Sequence, residues 1–468
     1  MKITFFGAAR NVTGSKHLIQ TQNYNLLLDC GLYQGKRSVS ENLNRNLPFP
    51  AKEIDAVILS HAHLDHCGTL PILVRDGFKG KIYCTAATAD IAKYILLDSA
   101  AIQEQDSNYL NDHIRPGDPL VYPIYNRTDV EHTFEHFETV PYFRLSGSWI
   151  NLNENIRFKF YDAGHILGSA ITLLEIKENG FLKTLAFTGD LGRASLPILR
   201  SPEYIKEKLQ TLIMECTYGD RVHRPMEEVV KELKKIIDYS SINKSKVIVP
   251  AFSLGRMQEL IYILHKLINE KIIPSLPIYI DSPLAQNITN IFPRYTEDFD
   301  EDFWKDFGNR DVSPFISKNL IYVHSVDESK SLNNRQGPLI IVAGSGMAEG
   351  GRVLYHLKNS IDNPRNVILI TGYQAENTLG RRIQEGVSPV KILGKEYQLK
   401  ARVATLNEFS AHADKNDLLS YLSHLKNLEN LFLVHSEESQ VLPFKKLVEE
   451  KYPSLSVNIP TMGQSFEI

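Results

Sequence analysis

The sequence predicts an α/β protein of two or three domains, with at least one parallel sheet. Three features carry this. Over the first 90 residues, short β-rich runs alternate with turn signals. From about Asp220 the pattern becomes strand then helix, repeatedly, which signals a parallel sheet with helices on its faces. After about Gly394 a short β-rich stretch returns, followed by one helix and one strand. A length of 468 residues and a hydrophobic content of 43% are enough for more than one sizeable core.

The elements follow in order. Residues 25–29 and 55–60 read as buried strands that end in polar residues. Residues 85–105, rich in Ala, Ile and Leu, predict a helix, and residues 108–142 a loop with a short helix. Strands are expected at 156–162, 170–176, 185–188 and 211–214. The alternating region opens with a strand at 247–252 and a helix at 255–269. Further strands are expected at 277–281, 320–323, 339–343 and 366–371, several followed by helices. The last stretch holds a helix at 416–425 and a strand at 430–434.

Composition excludes several classes. A net charge of −3 argues against a globally basic coat, so nucleic-acid binding would need a local groove. The N-terminal Met1-Lys2-Ile3-Thr4-Phe5-Phe6-Gly7 reads as a strand entering a turn, without the apolar core of a secretory signal. No apolar run approaches a membrane span. Cys30, Cys67, Cys84 and Cys216 form no CxxC pair and are expected to be buried and reduced. A cytoplasmic location is the expectation.

The strongest chemical signal is Ser60-His61-Ala62-His63-Leu64-Asp65-His66, at the end of an apolar strand. His61 and His63 are two apart, so both side chains can point to one side of an extended segment. Asp65 and His66 follow in the turn, where they can serve a second ion. Imidazole and carboxylate suit zinc, at about three protein ligands per ion in a catalytic site. A polar loop that happens to carry histidines is the plainer alternative. Four ligand-type residues within positions 61–66, directly after a buried strand, weigh against it. More ligands must come from elsewhere. His165, within Asp162-Ala163-Gly164-His165, and Asp190, within Phe187-Thr188-Gly189-Asp190, each follow a strand. One carboxylate can bridge two ions about 3.5–4 Å apart.

Asp29, His61-x-His63-x-Asp65-His66, His165 and Asp190 together resemble motifs one to four of the metallo-β-lactamase superfamily. That resemblance implies two face-to-face sheets between outer helices, an αββα sandwich with metals at one edge. Glu215, His412 (in Phe409-Ser410-Ala411-His412-Ala413-Asp414) and His435 resemble motifs A, B and C of the β-CASP branch, which processes nucleic acid. That branch carries a second, parallel-sheet α/β domain (the β-CASP domain) between motifs A and B. The implied domains are 1–220 for the first part of the metallo-β-lactamase domain, 221–395 for the insertion and 396–468 for the return. Nucleic acid would thread the cleft between them.

The resemblance also implies roles. His61, His63, His165 and the shared Asp190 would hold one zinc, and Asp65, His66, Asp190 and His435 the other, with manganese or iron as alternatives. Asp29 would orient ligands by hydrogen bonding. His412, near the scissile phosphate, would be positioned by Glu215, which favours its protonated form. A helix-start histidine beside Asp414 is the plainer reading of His412. The nine remaining histidines, such as His17, His265 and His356, read as solvated or core-satisfied.

A histidine at motif C is similar to RNA-cleaving members, whereas members acting on DNA lack it, so His435 and Glu215 imply single-stranded RNA as substrate. Ser436 departs from the glycine usual after that histidine and puts the local backbone geometry in question. Four runs resemble β-CASP loops: residues 250–256, 281–285, 343–352 and 372–381. Glycine and serine beside a helix start leave N–H groups for phosphate, and arginine can clamp it, which nominates Arg256, Ser345 and Gly346.

No KH-type module precedes Met1, no long ribonuclease J-type domain follows, and His61-Ala62-His63 looks more like the short bacterial nucleases and the cleavage subunit of the polyadenylation machinery. An endoribonuclease is therefore expected, with 5′-3′ exonuclease action as the lesser alternative, using a metal-bridged hydroxide and His412 as the acid for the departing 3′ oxygen. The rival readings are a lactone or thioester hydrolase, a DNA nuclease and a catalytically dead RNA-binding subunit. A homodimer is left open, and no membrane contact is expected.

Overall fold

In a computed structural model of the chain, residues 1–35, 37–115, 118–194, 197–301, 303, 305, 315–372, 374–375 and 377–468 are described, with 37–39 as backbone only. They form two compact units. The first comprises Met1–Leu196, Arg200–Val222 and His412–Ile468, and the second Pro197–Leu199 and His223–Ala411.

The first unit is built on two seven-stranded sheets. One runs, in spatial order, Gln464–Glu467, Lys2–Phe5, His17–Gln20, Asn25–Leu28, Ala56–Ile58, Lys81–Cys84 and Phe137–Thr139. The other runs Ser456–Asn458, Asn430–Val434, Thr211–Glu215, Phe181–Phe187, Ala170–Glu178, Ile156–Asp162 and Ile150–Asn151. Strand alternation explains how they pack. Ile3, Phe5, Leu26, Leu28 and Ile58 of the first sheet meet Phe158, Phe160, Leu174, Phe187, Ile213 and Phe432 of the second in one buried cluster. On the second sheet's outer face, Tyr161, Leu173, Leu212, Met214 and Leu433 pack under Leu418, Tyr421, Phe444 and Val448. These come from the helices Lys415–His424 and Glu438–Lys451. Val57 and Ile82, on the outer face of the first sheet, are also buried. The long helix Ala86–Asp112, which covers the first sheet near Phe137–Thr139, completes the αββα sandwich.

That helix outruns its expected end at residue 105. Gln103, Glu104 and Gln105 are good helix formers, and polar residues suit a solvent-facing last turn. Thr85 caps its start by accepting Thr88 N–H.

The second unit holds a six-stranded sheet in the order Leu320–Tyr322, Ile278–Asp281, Leu339–Ala343, Lys246–Pro250, Val367–Ile370 and Arg402–Thr405, every pair parallel. Its first strand in sequence, Lys246–Pro250, lies inside the sheet. From it the chain skips one position to Ile278–Asp281, goes out to Leu320–Tyr322, returns to fill the gap with Leu339–Ala343, and only then crosses to the other side. In such open parallel sheets ligands collect beyond the strands' carboxyl ends. By contacts the second unit runs on to Ala411, past the expected return at residue 396. Arg402–Thr405 pairs with Val367–Ile370 and so keeps residues up to 411 in the second unit. His356 is buried here and satisfied, with Nε2 2.6 Å from Asp281. The same carboxylate accepts Ser329 Oγ at 2.5 Å and the Arg352 guanidinium at 2.6 Å. This buried knot ties the loop before Val353–Lys358 to the end of a neighbouring strand.

Candidate metal centre

The first unit delivers its polar residues to one sheet edge. The parallel strands Phe181–Phe187, Thr211–Glu215 and Asn430–Val434 end side by side, so Asp190, Glu215 and His435 emerge together. Ala56–Ile58 ends just before His61, and His165 lies in the loop joining Ile156–Asp162 to Ala170–Glu178. The close approach needs Gly189, at φ +55°, where a Cβ would stand 2.5 Å from Ser60 Cβ.

The seven expected ligand side chains converge. His63 Nδ1 lies 3.0 Å from His61 Nε2 and 3.4 Å from His165 Nε2. Asp190 Oδ2 stands 3.4 Å from His61 Nε2 and 3.5 Å from His165 Nε2. Its other oxygen, Oδ1, faces His66 Nε2 at 3.3 Å, and His435 Nε2 lies 3.4 Å from Asp65 Oδ2. Asp190 thus presents one oxygen to each of two ligand groups. Asp190 Oδ1 and His66 Nε2 are buried and have no hydrogen-bond partner among the described residues. Buried polar atoms are ordinarily satisfied, and a cation between them accounts for these two.

Burial lowers the pKa of His61 and His165, and it brings His63 down to about 3. These imidazoles are neutral at neutral pH, the state that binds a metal. Burial also disfavours charge on His66 and His435, but Asp190 with Asp29, and Asp190 with Asp65, outweigh it and raise both.

The rings are oriented from behind. Asp29 (φ +59°) accepts His66 Nδ1–H at 2.6 Å, Ser60 N–H at 2.8 Å and the Ser60 hydroxyl at 3.0 Å. Because the Ser60 hydroxyl donates to Asp29, it accepts from His61 Nδ1 at 3.0 Å. Ser60 and Asp29 therefore leave Nε2 of both rings for a cation. Sequence reasoning assigned no role to Ser60 or to Thr217, whose hydroxyl lies 3.0 Å from His435 Nδ1. The place of Ser60 beside His61, and of Thr217 two residues past Glu215, were the only sequence signals, and serine and threonine are too common for these to stand out.

Behind Asp29, Ser15 Oγ donates to it at 3.2 Å and stands 3.4 Å from His17 Nε2. His17 is fully buried against Phe5 and Phe187, with Nδ1 unpartnered among the described residues, and burial pushes its pKa from 6.5 to about 3. Between those values the unfolded chain binds a proton that the folded chain refuses. His17 therefore lowers stability as pH falls through that window, by up to about 1.4 kcal/mol per pH unit. Melting curves of metal-free His17→Leu against wild type should show a shallower acid limb in the variant. Parallel limbs would refute the assignment.

His412 is pinned to the same edge. Ala413 N–H donates to Leu191 O at 2.8 Å, and Leu191 N–H donates to Glu215 Oε1 at 2.7 Å. His412 Nδ1 lies 2.9 and 3.1 Å from the two oxygens of Glu215, which is wholly buried. The His412 ring is 4.5 Å from that of His165, and Nδ1 is 3.9 Å from Asp190. Asp414, the neighbour behind the plainer reading of His412, caps the helix Lys415–His424 in a capping box with Asp417, without His412.

Ser436 keeps normal backbone, because the left-handed turn falls on His435, at φ +51°. The Ser436 hydroxyl donates to Cys216 O at 2.6 Å and so staples the His435 turn to the segment after Glu215.

In the second unit, Arg256 and Gly346 lie against Phe252, with Ser345 next to Gly346 in the chain. Arg256 lies over that ring at 4.6 Å and donates to Thr371 O at 3.2 Å. A Cβ on Gly346 would meet the same ring at 2.3 Å. The Ser345 hydroxyl accepts Glu349 and Gly350 N–H, each at 3.2 Å, and donates to Gly350 O at 3.3 Å. Its bonding capacity is spent inside its own loop. Tyr373 and Glu376, part of the 372–381 run, lie outside the described residues.

Fold and ligand set define a metallo-hydrolase. Three family profiles match along the chain: a metallo-beta-lactamase superfamily domain over residues 18–184, a Beta-Casp domain over 257–383, and a Zn-dependent metallo-hydrolase RNA specificity domain over 396–460. Ribonuclease TTHA0252 of Thermus thermophilus is 37% identical over 450 residues, which cover 96% of each chain. An RNase J-like protein of Methanocaldococcus jannaschii is 32% identical, covering 94% of each. The transcription termination factor FttA of the same organism is 31% identical, over 97% of this chain and 69% of its own. A crystal structure of a protein of unknown function from Enterococcus faecalis shares the fold, with TM-score 0.53, 15% identity and 99% of each chain covered. The chain belongs to the β-CASP family of the metallo-β-lactamase superfamily.

Proposed function

We propose that this chain is a two-zinc RNA phosphodiester hydrolase that cuts internally. The observation that carries the reading is Asp190, whose two oxygens face two separate ligand groups. The RNA specificity domain and the ribonuclease relatives support RNA as substrate. When bound, the ions supply a Lewis acid for the phosphoryl oxygen and a water acidic enough to attack near neutral pH. The protein's own part is orientation and proton delivery. Asp29 and Ser60 hold His66 and His61, and Glu215 holds His412 by Nδ1, which assigns the leaving 3′ oxygen to Nε2. Four buried, unpaired cysteines suit the reducing cytoplasm, which we propose as the location. No helix among the described residues is long and apolar enough to cross a membrane.

The test uses RNA and DNA strands of one sequence, labelled at either end, with zinc-loaded protein. Internal RNA cuts that leave 3′-hydroxyl and 5′-phosphate ends are expected. Cyclic 2′,3′-phosphate ends would refute water as the nucleophile, and stepwise loss from the 5′ end would replace the endonuclease reading with exonuclease action.

A further inference from the structure

The segment after Glu215 holds a residue to which the mechanism above gives no task. The Thr217 hydroxyl lies 3.1 Å from the His435 carbonyl oxygen and 3.0 Å from Nδ1 of the same residue's ring. A carbonyl can only accept, and a hydroxyl has one proton to give. With that proton on the carbonyl, the hydroxyl must accept from Nδ1–H. The ring is then fixed in one tautomer, with the lone pair on Nε2, the nitrogen 3.4 Å from Asp65 Oδ2. The competing contact, Nδ1 to Asp190 Oδ1, is longer at 3.5 Å. Thr217 is 8% exposed, so water does not readily replace it. Its backbone N–H donates to Glu215 Oε2 at 3.2 Å, so the same residue also braces the carboxylate that holds His412.

We propose that Thr217 is a positioning residue for one of the two ions, fixing the tautomer and aim of His435. Asp29 does this for His66 and Ser60 for His61, but those two share one hydrogen-bonded knot. Thr217 works alone on the other side of the site. Its loss therefore acts on the ion held by Asp65, His66 and His435, and spares the one held by His61, His63 and His165. The inference rests on the two-ion reading above.

Metal-stripped wild type, Thr217→Val and Thr217→Ser are titrated with zinc by calorimetry, and bound metal is counted. Wild type is expected to take two ions. Thr217→Val, nearly isosteric, should keep one at wild-type affinity and bind the other about 10–100-fold more weakly. Thr217→Ser, which keeps the hydroxyl, should restore the wild-type isotherm. Equal weakening of both ions, or none, overturns the proposal while the two-ion reading stands. Wild type taking a single ion removes that reading itself. A measurement on the wild type alone covers the case in which the valine variant does not fold. Nitrogen NMR of the zinc-loaded protein should find His435 protonated at Nδ1 and metal-bound at Nε2, and the reverse overturns the proposal.

Discussion

RNA cleavage is expected to fall by about 10²–10⁴-fold in the His412→Ala protein, the range a general acid contributes, while bound metal stays at the wild-type level. Both halves follow from the geometry. His412 is held through Nδ1 by Glu215, and its closest approach to Asp190 is 3.9 Å, beyond the 3.3–3.5 Å at which the ligand rings meet that carboxylate. Removing it should therefore cost the proton and leave the ligand set intact. The sharper measurement uses RNA with sulfur in place of the bridging 3′ oxygen at one site. Thiolate leaves without a proton, so the variant should cut that substrate nearly as fast as wild type. An equal defect on both substrates would show that His412 acts otherwise than as the acid.

Asp190→Ala should have the larger effect on metal. Residues that merely orient ligands cost about 10–100-fold in affinity when lost, and a carboxylate facing both groups must cost more. Both ions should be lost together, and activity with them. Loss of one alone would mean that Asp190 serves a single ion. The substitution also strips His66 and His435 of the charge that does most to favour their protonated forms. Both rings should then titrate lower in the metal-free variant, which proton NMR can follow.

The cluster of candidate ligands was legible because its residues follow apolar strands, where a histidine or aspartate has no structural reason to recur. His61, His63, Asp65, His66, His165, Asp190 and His435 meet, and so do His412 and Glu215. The orienting hydroxyls were not legible, since the role of Ser60 or Thr217 depends on which ring nitrogen it faces across the fold. Ser436 looked like a departure, yet the strained backbone angle sits one residue earlier, on His435. That the second unit keeps contacts up to Ala411 was not legible for a related reason. Arg402–Thr405 is short and only partly buried, and nothing in its sequence says which sheet it joins. The Ser345 loop shows the same kind of dependence on the fold, because the backbone N–H that nominated it donates to Gly350 O at 3.2 Å.

The pairing of Asp65 with His435 spans 370 positions of the chain. A ribosome adding about 5–20 residues each second needs roughly 20–70 s to make that stretch. For nearly all of that interval the growing polypeptide carries His61, His63 and Asp65 but lacks His412, and it lacks His435 until the end. The whole second unit is made within that interval, so the site is completed only after it.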